Sequence, residues 1–236
     1  MIFDAASTHT FVEAFRFIGD HPGFLAHKAL ETLELSGAAL GLGAAVALPL
    51  GIALGHFHRG ANLAIGASIV GRALPSIVLI GVFLTILGFG FVNNMVALAV
   101  LATGPMLTNA YEGIDGLERD VVDAARGMGM SRLQILGRVE LPLATPLIFT
   151  GVRVAAVTVV ATAPIAAIAG GGGLGDVIVN QASYRLEGVL GAAYCVMVLS
   201  AGSWLGLLAL QKAITPRALR GSRVLGAGHQ SRKELL

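Results

Sequence analysis

The sequence predicts an all-α membrane protein with about five transmembrane helices, because its apolar residues are gathered into long uncharged runs. Hydrophobic residues make up 55% of the 236-residue chain and charged residues 13%, whereas an ordinary soluble domain carries about 25% charged residues. Four runs contain no Asp, Glu, Lys, Arg or His: 35–55, 73–111, 154–175 and 188–211. Four such runs leave too little polar sequence to cover them, which excludes a soluble protein with buried helices.

The lengths of these runs give the number of spans. A helix needs about 20 apolar residues to cross a hydrocarbon core of roughly 30 Å. Three runs have the length of one span, and the run 73–111 is about twice as long, so it predicts a hairpin of two helices. The middle of that run, 88–94, reads Gly-Phe-Gly-Phe-Val-Asn-Asn, which suits a turn at the lipid surface. Strands of a β-barrel would be shorter and would alternate in polarity.

The distribution of basic residues predicts the orientation. Lysine and arginine in short loops favour the cytoplasm. With the N-terminus outside, the cytoplasmic segments hold eleven Lys and Arg residues, and the outer segments hold three, Arg16, Lys28 and Arg185. We therefore expect a multi-pass membrane protein with its N-terminus outside and its C-terminus in the cytoplasm. The basic balance follows from this asymmetry and does not indicate a nucleic-acid partner.

This orientation divides the chain into three parts. Residues 1–29 form an extracytoplasmic segment, residues 30–212 form the transmembrane domain, and residues 213–236 form a basic cytoplasmic tail. In the first part, Phe11, Phe15 and Ile18 fall near one face of a helix. That spacing leaves a short interfacial helix and a plain loop as equal alternatives.

The segment 113–142 is the one long polar insertion between spans, and its pattern predicts two short helices. Asp115 followed by Glu118 is typical of a helix start, and Ser131 followed by Gln134 is a capping-box pattern. Glycines between them, at 127 and 129, allow a sharp turn. The first helix carries an apolar stripe that needs either a partner protein or the chain's own helix ends to cover it; the stripe consists of Val121, Val122, Ala124, Ala125 and Met128.

Residues of this insertion resemble the EAA motif of ABC importer permeases. Asp123-Ala-Ala-Arg-Gly-Met-Gly129 is followed, after nine residues, by Val139-Glu-Leu-Pro142. Asp123 replaces the commoner glutamate of the motif and Val139 replaces isoleucine, and each change keeps the charge or the branching. The resemblance extends over roughly residues 30–211.

The resemblance implies a type I ABC importer permease fold in which the first short helix is a coupling helix seated in a separate ATPase. Small alanines would allow close approach, Gly129 would make the corner, Asp123 would cap or pair locally, and arginines would meet acidic groups of the ATPase. The implied coupling residues are Asp123, Ala124, Ala125, Arg126, Gly127, Gly129, Arg132, Leu141 and Pro142. The implied partners are two ATP-binding subunits that carry ATP and Mg²⁺, a second identical or homologous permease, an extracytoplasmic substrate-binding protein and membrane lipid.

A glycine-rich segment, 170–176, is the nearest approach to a nucleotide site, but no Gly-Lys-Ser/Thr follows it. The resembled family often has Gly-Gly-Leu-Gly here, which implies an outer gate or a docking surface for the binding protein; a simple helix terminator is the alternative. Pro75, followed by Ser76, removes a backbone hydrogen bond within the second span and predicts a bend there, as a gate element or a tolerated kink. The candidate gate residues are Pro75, Ser76, Gly171, Gly172, Gly173, Leu174, Gly175 and Asp176.

Three strings, 73–77, 109–114 and 123–130, resemble the osmoprotectant branch of the family, which imports glycine betaine, carnitine, choline or proline. A permease for methionine or another amino acid is the alternative within the family. A secondary transporter or channel is the alternative from another class, but the runs show neither repeats nor intramembrane charges. A membrane enzyme would need clustered catalytic side chains. We expect no catalytic residue, metal or cofactor in this chain, since His56 and His58 have no evident third ligand and suit a solvated loop.

Overall fold

The computed structural model describes residues 5–58, 60, 62, 66 and 74–214, and the side chains of 5–9 are left aside. The helices in that part of the chain are α1 (Ala5–Asp20), α2 (Pro22–His56), α3 (Ser76–Leu87), α4 (Phe91–Asp115), α5 (Arg119–Gly127), α6 (Arg132–Ile135), α7 (Leu141–Thr162), α8 (Leu174–Val179) and α9 (Gln181–Ile214). A π-helix, Leu136–Glu140, joins α6 to α7, and a 3-10 helix, Ala163–Ala169, extends α7.

Four helical stretches in the described residues are long and apolar enough to cross a membrane: Pro22–His56, Phe91–Asp115, Arg132–Ala169 and Gln181–Ile214. They confirm four of the five expected spans. The remaining span, the first arm of the hairpin, appears as the 12-residue apolar helix α3, which is about 18 Å long and shorter than the hydrocarbon core. Its expected beginning, near residue 73, lies outside the described residues.

The hairpin turn lies where the sequence placed it and is tighter than expected. Gly88 and Gly90 have φ angles of +76° and +125°, which glycine adopts without a steric penalty. The chain reverses in three residues, so Phe91 is already the first residue of α4. The amide of Gly90 donates to the carbonyl of Ala169 at 3.0 Å, which fixes the turn against the end of the 3-10 helix.

Helix α4 forms the centre of the bundle, and small residues let its neighbours approach it closely. Gly43, Gly51 and Gly55 of α2 meet successively later residues of α4, so these two helices run in the same direction. A Cβ at Gly51 would lie 2.7 Å from the carbonyl oxygen of Leu107, so a larger side chain would separate the helices. Helix α7 packs antiparallel to α4 through Gly151, whose Cβ would lie 2.8 Å from the carbonyl oxygen of Pro105.

Helix α9 lies at the edge of the bundle. It packs against α7, where Gln211 donates to the carbonyl of Pro146 at 3.0 Å and the Arg153 guanidinium stacks over the Trp204 ring at 5.7 Å. Lys212 is part of α9, and residues 215–236 of the expected tail lie outside the described residues.

The N-terminal residues form a helix and not a loop; its position at the membrane interface stays a prediction. Helix α1 packs on α9, with the rings of Phe15 and Tyr194 stacked at 5.1 Å and Ala14 buried. Phe11 and Val12 remain exposed. Helix α2 begins at Pro22 and continues without interruption through residue 30, the expected start of the transmembrane domain.

Candidate functional site

The loop 113–142 joins α4 to α7 at one end of the bundle, called here the loop end. Its first helix, α5, begins at Arg119 with Glu118 as the N-cap, and no side chain caps the free amides. The expectation that Asp115 starts this helix is wrong, because Asp115 is the last residue of α4. Its carboxylate accepts instead from Nδ1 of His58 at 2.7 Å and from the hydroxyl of Tyr111 at 3.0 Å.

The corner between α5 and α6 depends on one of the two glycines. Gly129 has a φ of +81° and open space around its Cα, so the requirement for glycine is conformational rather than steric. Gly127 is the last residue of α5 and has no positive φ. The capping box is confirmed: Ser131 N donates to Oε1 of Gln134 at 2.8 Å, and Gln134 N donates to Oγ of Ser131 at 3.4 Å.

The apolar stripe of α5 contains both buried and exposed residues. Ala125 is 2% exposed and faces the chain's own helix ends, so that alternative holds for this residue. Val121 and Met128 lie beside it, four residues before and three residues after, and they are exposed together with Ala124; Met128, which directly follows α5, is 75% exposed. On α6, Leu133 is 80% exposed. An apolar surface of this kind on a polar loop is typical of an interaction site.

The charged residues of the predicted coupling set, Asp123, Arg126 and Arg132, are also exposed, and they line the cavities at this end of the bundle. Asp123 accepts from Arg126 at 2.8 Å, a local pair in which both side chains are mostly exposed and which stabilises the helix little. Arg132 is exposed and pairs with no carboxylate among the described residues. Arg132 is therefore available to acidic groups of another protein.

The end of the motif enters α7 through the π-helix. Leu141 and Pro142 are the first two residues of α7 and are half-buried. The backbone is helical on both sides of this junction, so Pro142 lies within a continuous helical stretch and lacks the amide that would donate to the preceding turn. Glu140, immediately before them, is 4% exposed. Its Oε2 accepts from Nδ1 of His56 at 2.6 Å. π-helical turns are rare and often occur at functional sites.

His56 and His58 thus have carboxylate partners, and the expectation of a solvated loop is wrong for His56, whose side chain is 11% exposed. Within the described residues, no group of three potential ligands could hold a metal ion. Sequence reasoning did not find the partnership of His56 with Glu140. The only hint in the sequence was weak: His56 directly follows one expected span and Glu140 precedes another, both on the expected cytoplasmic side.

A cavity of about 440 Å³ lies between α5, α6 and the end of α2. A second one of about 350 Å³ adjoins it and shares several lining residues. The first is lined by His56, Phe57, His58, Val122, Arg126, Arg132, Ile135 and Glu140. The coupling residues therefore rest on the helix ends with open space beneath them.

The glycine-rich segment lies at the opposite end of the bundle and forms the corner between the 3-10 helix and α8, called here the glycine corner (residues 170–176). Gly170, with φ of +76°, ends the 3-10 helix, so the helix-terminator alternative describes that residue. Gly173, with φ of +73°, is the N-cap of α8. A Cβ on Gly173 would collide with the hydroxyl of Thr32.

Side chains of α2 hold the glycine corner, and the sequence did not single them out. Glu31 accepts from Gly173 N at 2.8 Å, and Thr32 Oγ1 accepts from Leu174 N at 2.9 Å. Nζ of Lys28 lies 2.9 Å from both Glu31 and Asp176. These contacts join the first residues of α2 to a segment more than 140 residues later.

The expected gate element at Pro75 has a different geometry from the one predicted. Pro75 is the N-cap of α3, with φ −59° and ψ 131°, so it precedes a helix and does not bend one in the described residues. Since α3 is about 18 Å long and its far end lies beside Ala169, Pro75 and Ser76 lie near half the depth of the bundle. The exposed side chains at this helix start include Leu74, Ile77 and Val78.

The predicted coupling residues and the predicted gate residues therefore occupy three separate regions. The coupling set, from Asp123 to Pro142, is gathered at the loop end. The glycine corner is at the other end of α2, and Pro75 and Ser76 belong to neither end. The cavities at the loop end share no lining residue with the pockets near the glycine corner, and Pro75 and Ser76 line none of these four.

Comparison with known proteins assigns this arrangement to a family. Residues 47–220 match the family described as binding-protein-dependent transport system inner membrane component. The chain is 35% identical over 208 residues to the glycine betaine/carnitine/choline transport system permease protein OpuCB of Bacillus subtilis, covering 88% of this chain and 96% of that one. It is 36% identical over 192 residues to the carnitine transport permease protein OpuCB of Listeria monocytogenes, covering 81% and 88%.

The fold has a solved counterpart. A structure of the MetNI methionine ABC transporter in an inward-facing conformation contains a chain that aligns with a TM-score of 0.71 and 22% identity, covering 83% of this chain and 99% of that one. At this identity the similarity establishes the fold alone. The family match over residues 47–220 includes the whole EAA-like segment, four of the apolar helices and the glycine corner. The chain therefore belongs to the binding-protein-dependent transport system inner membrane components, the permease subunits of ABC importers.

Proposed function

We propose that this permease imports a quaternary-ammonium or related compatible solute, with glycine betaine, carnitine and choline as the first candidates and proline as a further one. The observation that carries the proposal is the match to permeases of such solutes over nearly the full length of both chains. The loop strings resembling the osmoprotectant branch support it. Methionine is the weaker candidate, because the similarity to the methionine transporter is at 22% identity.

The outward face of α5 is the proposed seat for the ATPase subunit. Val121, Ala124 and Met128 offer an apolar ridge, and the small side chain of Ala124 allows close approach of another backbone. Arg126 and Arg132 lie beside this ridge and suit acidic groups on the partner. Two such ATP-binding subunits, each carrying ATP and Mg²⁺, would act on two permease copies.

We place the loop end in the cytoplasm and the glycine corner outside, as the distribution of basic residues favours. The N-terminal segment then lies outside and residues 213–236 lie in the cytoplasm. In this orientation the ATPase surface faces the compartment that contains ATP. The glycine corner becomes available to an extracytoplasmic binding protein.

Substrate recognition is assigned mainly to that binding protein, and the permease supplies a path. Pro75 and Ser76 mark the candidate path, because a helix that begins near half depth presents free backbone amides there. Such amides favour the carboxylate of betaine or carnitine. The residues of the glycine corner, from Gly171 to Asp176, are proposed as part of the outer gate.

The chain is proposed as a transport subunit without an ATPase site of its own, so ATP chemistry belongs to its partner. The described residues support this with a packed corner at the glycine-rich segment in place of a phosphate-binding loop. Gly173 and Leu174 amides are occupied by Glu31 and Thr32. They are therefore not free to bind phosphate.

Competition of uptake tests the substrate assignment. Cells that carry the whole assembly and no other osmolyte importer are given radiolabelled glycine betaine with an excess of unlabelled choline, carnitine, proline or methionine. We expect at least one of choline and carnitine to compete and methionine not to compete. Competition by methionine alone would contradict the proposal and favour an amino-acid importer.

A further inference from the structure

Helix α2 makes polar contacts at both of its ends with segments distant in the chain. At the loop end, His56 contacts Glu140, 84 residues later. At the other end, Lys28 contacts Asp176, 148 residues later. Between these contacts α2 is one helix of 35 residues that continues through Pro49, and it is about 52 Å long. A single element therefore joins the coupling loop to the glycine corner.

The loop 113–142 does not directly adjoin α2 in the sequence, because residues 57–75, α3 and most of α4 come between them. Its ends continue directly into α4 and α7, so a movement of α5 and α6 reaches those helices through the backbone. The cavities under α5 leave open space between its side chains and the end of α2. Besides the close packing of α2 on α4, side-chain contacts between the loop and the end of α2 are therefore the direct route by which such a movement reaches α2.

The contact between His56 and Glu140 is well suited to transmit a movement of the loop to α2. Glu140 lies on the π-helix directly before α7, and both side chains are nearly buried, at 11% and 5% exposure. A hydrogen bond to a buried carboxylate is strong and directional, and leaving that carboxylate without a partner is costly. Two basic side chains, Arg126 and Arg132, line the same cavity and face the pair from α5 and α6.

The contacts at the far end complete the connection. Lys28 bridges Glu31 and Asp176, and Thr32 and Glu31 accept from amides of the glycine corner. The glycines of α2 fit closely against α4, and α2 is one continuous helix, so a displacement at one end of α2 reaches its other end.

The geometry points to His56 and Glu140 as positioning residues that link the coupling loop to α2, which transmits the loop's movement to the glycine corner. This inference rests on the proposed function, because it gives the ATPase-driven movement a route to the outer side. It adds α2 to the moving parts, although α2 lies outside the EAA-like segment.

The test uses the reconstituted importer with two substitutions. Val179→Cys places a reactive thiol at an exposed position beside the glycine corner, and Cys195→Ser removes the native thiol. The rate of labelling by a membrane-impermeant maleimide is measured with and without ATP plus vanadate, together with solute imported per ATP hydrolysed. The variants are His56→Leu, Glu140→Leu and the hydrogen-bonding replacements His56→Gln and Glu140→Gln. His58→Leu is the matched control, because it removes a similar contact to the end of α4.

We expect His56→Leu and Glu140→Leu to lower solute imported per ATP by about fivefold and to abolish the nucleotide-dependent change in labelling at Val179. His56→Gln, Glu140→Gln and His58→Leu should remain within about twofold of the parent. The double variant His56→Leu/Glu140→Leu removes the unpaired carboxylate and should restore the yield of folded protein without restoring the coupling ratio.

Full coupling in His56→Leu, or full recovery in the double variant, would overturn the link. A coupling loss in His58→Leu as large as in His56→Leu would overturn it too, since general damage at the loop end would then explain both. Absence of ATP-driven uptake in the parent importer would instead contradict the proposed function, so the two failures are distinguishable.

Discussion

The loop end and the glycine corner are both rich in glycine and both contain charged residues, yet they differ in how their surfaces are satisfied. At the loop end, Met128 and Leu133 are 75% and 80% exposed, and Arg132 pairs with no described carboxylate. At the glycine corner, Leu174 and Val177 are completely buried, and the charged groups pair with one another. The first region therefore leaves apolar and basic side chains uncovered, as the proposed ATPase contact requires, and the second is a packed corner of this chain.

The largest expected effect falls on the glycine corner, where Gly173→Ala tests packing. A Cβ would collide with Thr32, and the positive φ adds a cost of about 1–3 kcal/mol. We expect the unfolding free energy in detergent to fall by at least about 2 kcal/mol, together with a lower yield of folded protein. Gly66→Ala, with open space around its Cα, is the control, and equal stability of the two variants would contradict the packed-corner description.

At the loop end, Gly129→Val tests coupling without packing. The site is open but has a positive φ, so a β-branched residue distorts the corner between α5 and α6. We expect uptake to fall by about tenfold or more while ATP hydrolysis and membrane insertion persist, an effect that corresponds to about 1.4 kcal/mol. Gly137→Ala is the matched control, because Gly137 lies in the same loop, outside the predicted coupling set, has a helical backbone and also has open space. Normal uptake in Gly129→Val would remove the coupling assignment.

A smaller effect is expected from the exposed ridge itself. Met128→Ser removes apolar surface from a residue that is 75% exposed in this chain. The stability of the permease should therefore change little, while its affinity for the ATPase subunit should fall by about five- to thirtyfold. The measurement is copurification or titration of the ATPase against the detergent-solubilised permease. An unchanged affinity would mean that the ridge contacts something else, such as lipid.

The smallest effect is expected from Lys28→Met at the glycine corner. The ion pairs of Lys28 are partly exposed, so their removal should cost less than about 1 kcal/mol of stability. The opposite result, a loss of stability as large as that of Gly173→Ala, would show that charge pairing holds the corner and that backbone packing does not.

The local features of the loop could be predicted because their signals lie within a few residues of one another. Ser131 and Gln134 form the expected capping box, and Gly129 makes the expected corner. The prediction that Asp115 starts α5 was wrong because its carboxylate accepts hydrogen bonds from Tyr111 and His58. The contact with His58 is a tertiary contact that no local pattern contains. The division of the apolar stripe of α5 also needed the structure, since the inward position of Ala125 depends on where the helix rests.

The contacts of α2 could not be predicted for a related reason. Pairing of His56 with Glu140 and of Lys28 with Asp176 depends on the register between helices that are distant in the chain. The glycines of α2 set that register against α4, and composition alone does not reveal it. The start of α3 at Pro75 was expected as a bend, because a proline in an apolar run is compatible with both a kink and a helix start.

The central claim, that a separate ATPase drives import by acting on α5, is tested most directly by reconstitution. Proteoliposomes that contain the permease and its ATPase are loaded with ATP, and the binding protein and labelled glycine betaine are added outside. Uptake is compared with that of vesicles lacking the ATPase subunit. The account predicts concentrative uptake only when the ATPase and ATP are both present, and its loss in Gly129→Val. Equal uptake by the permease alone would contradict the account and indicate a secondary transporter or channel.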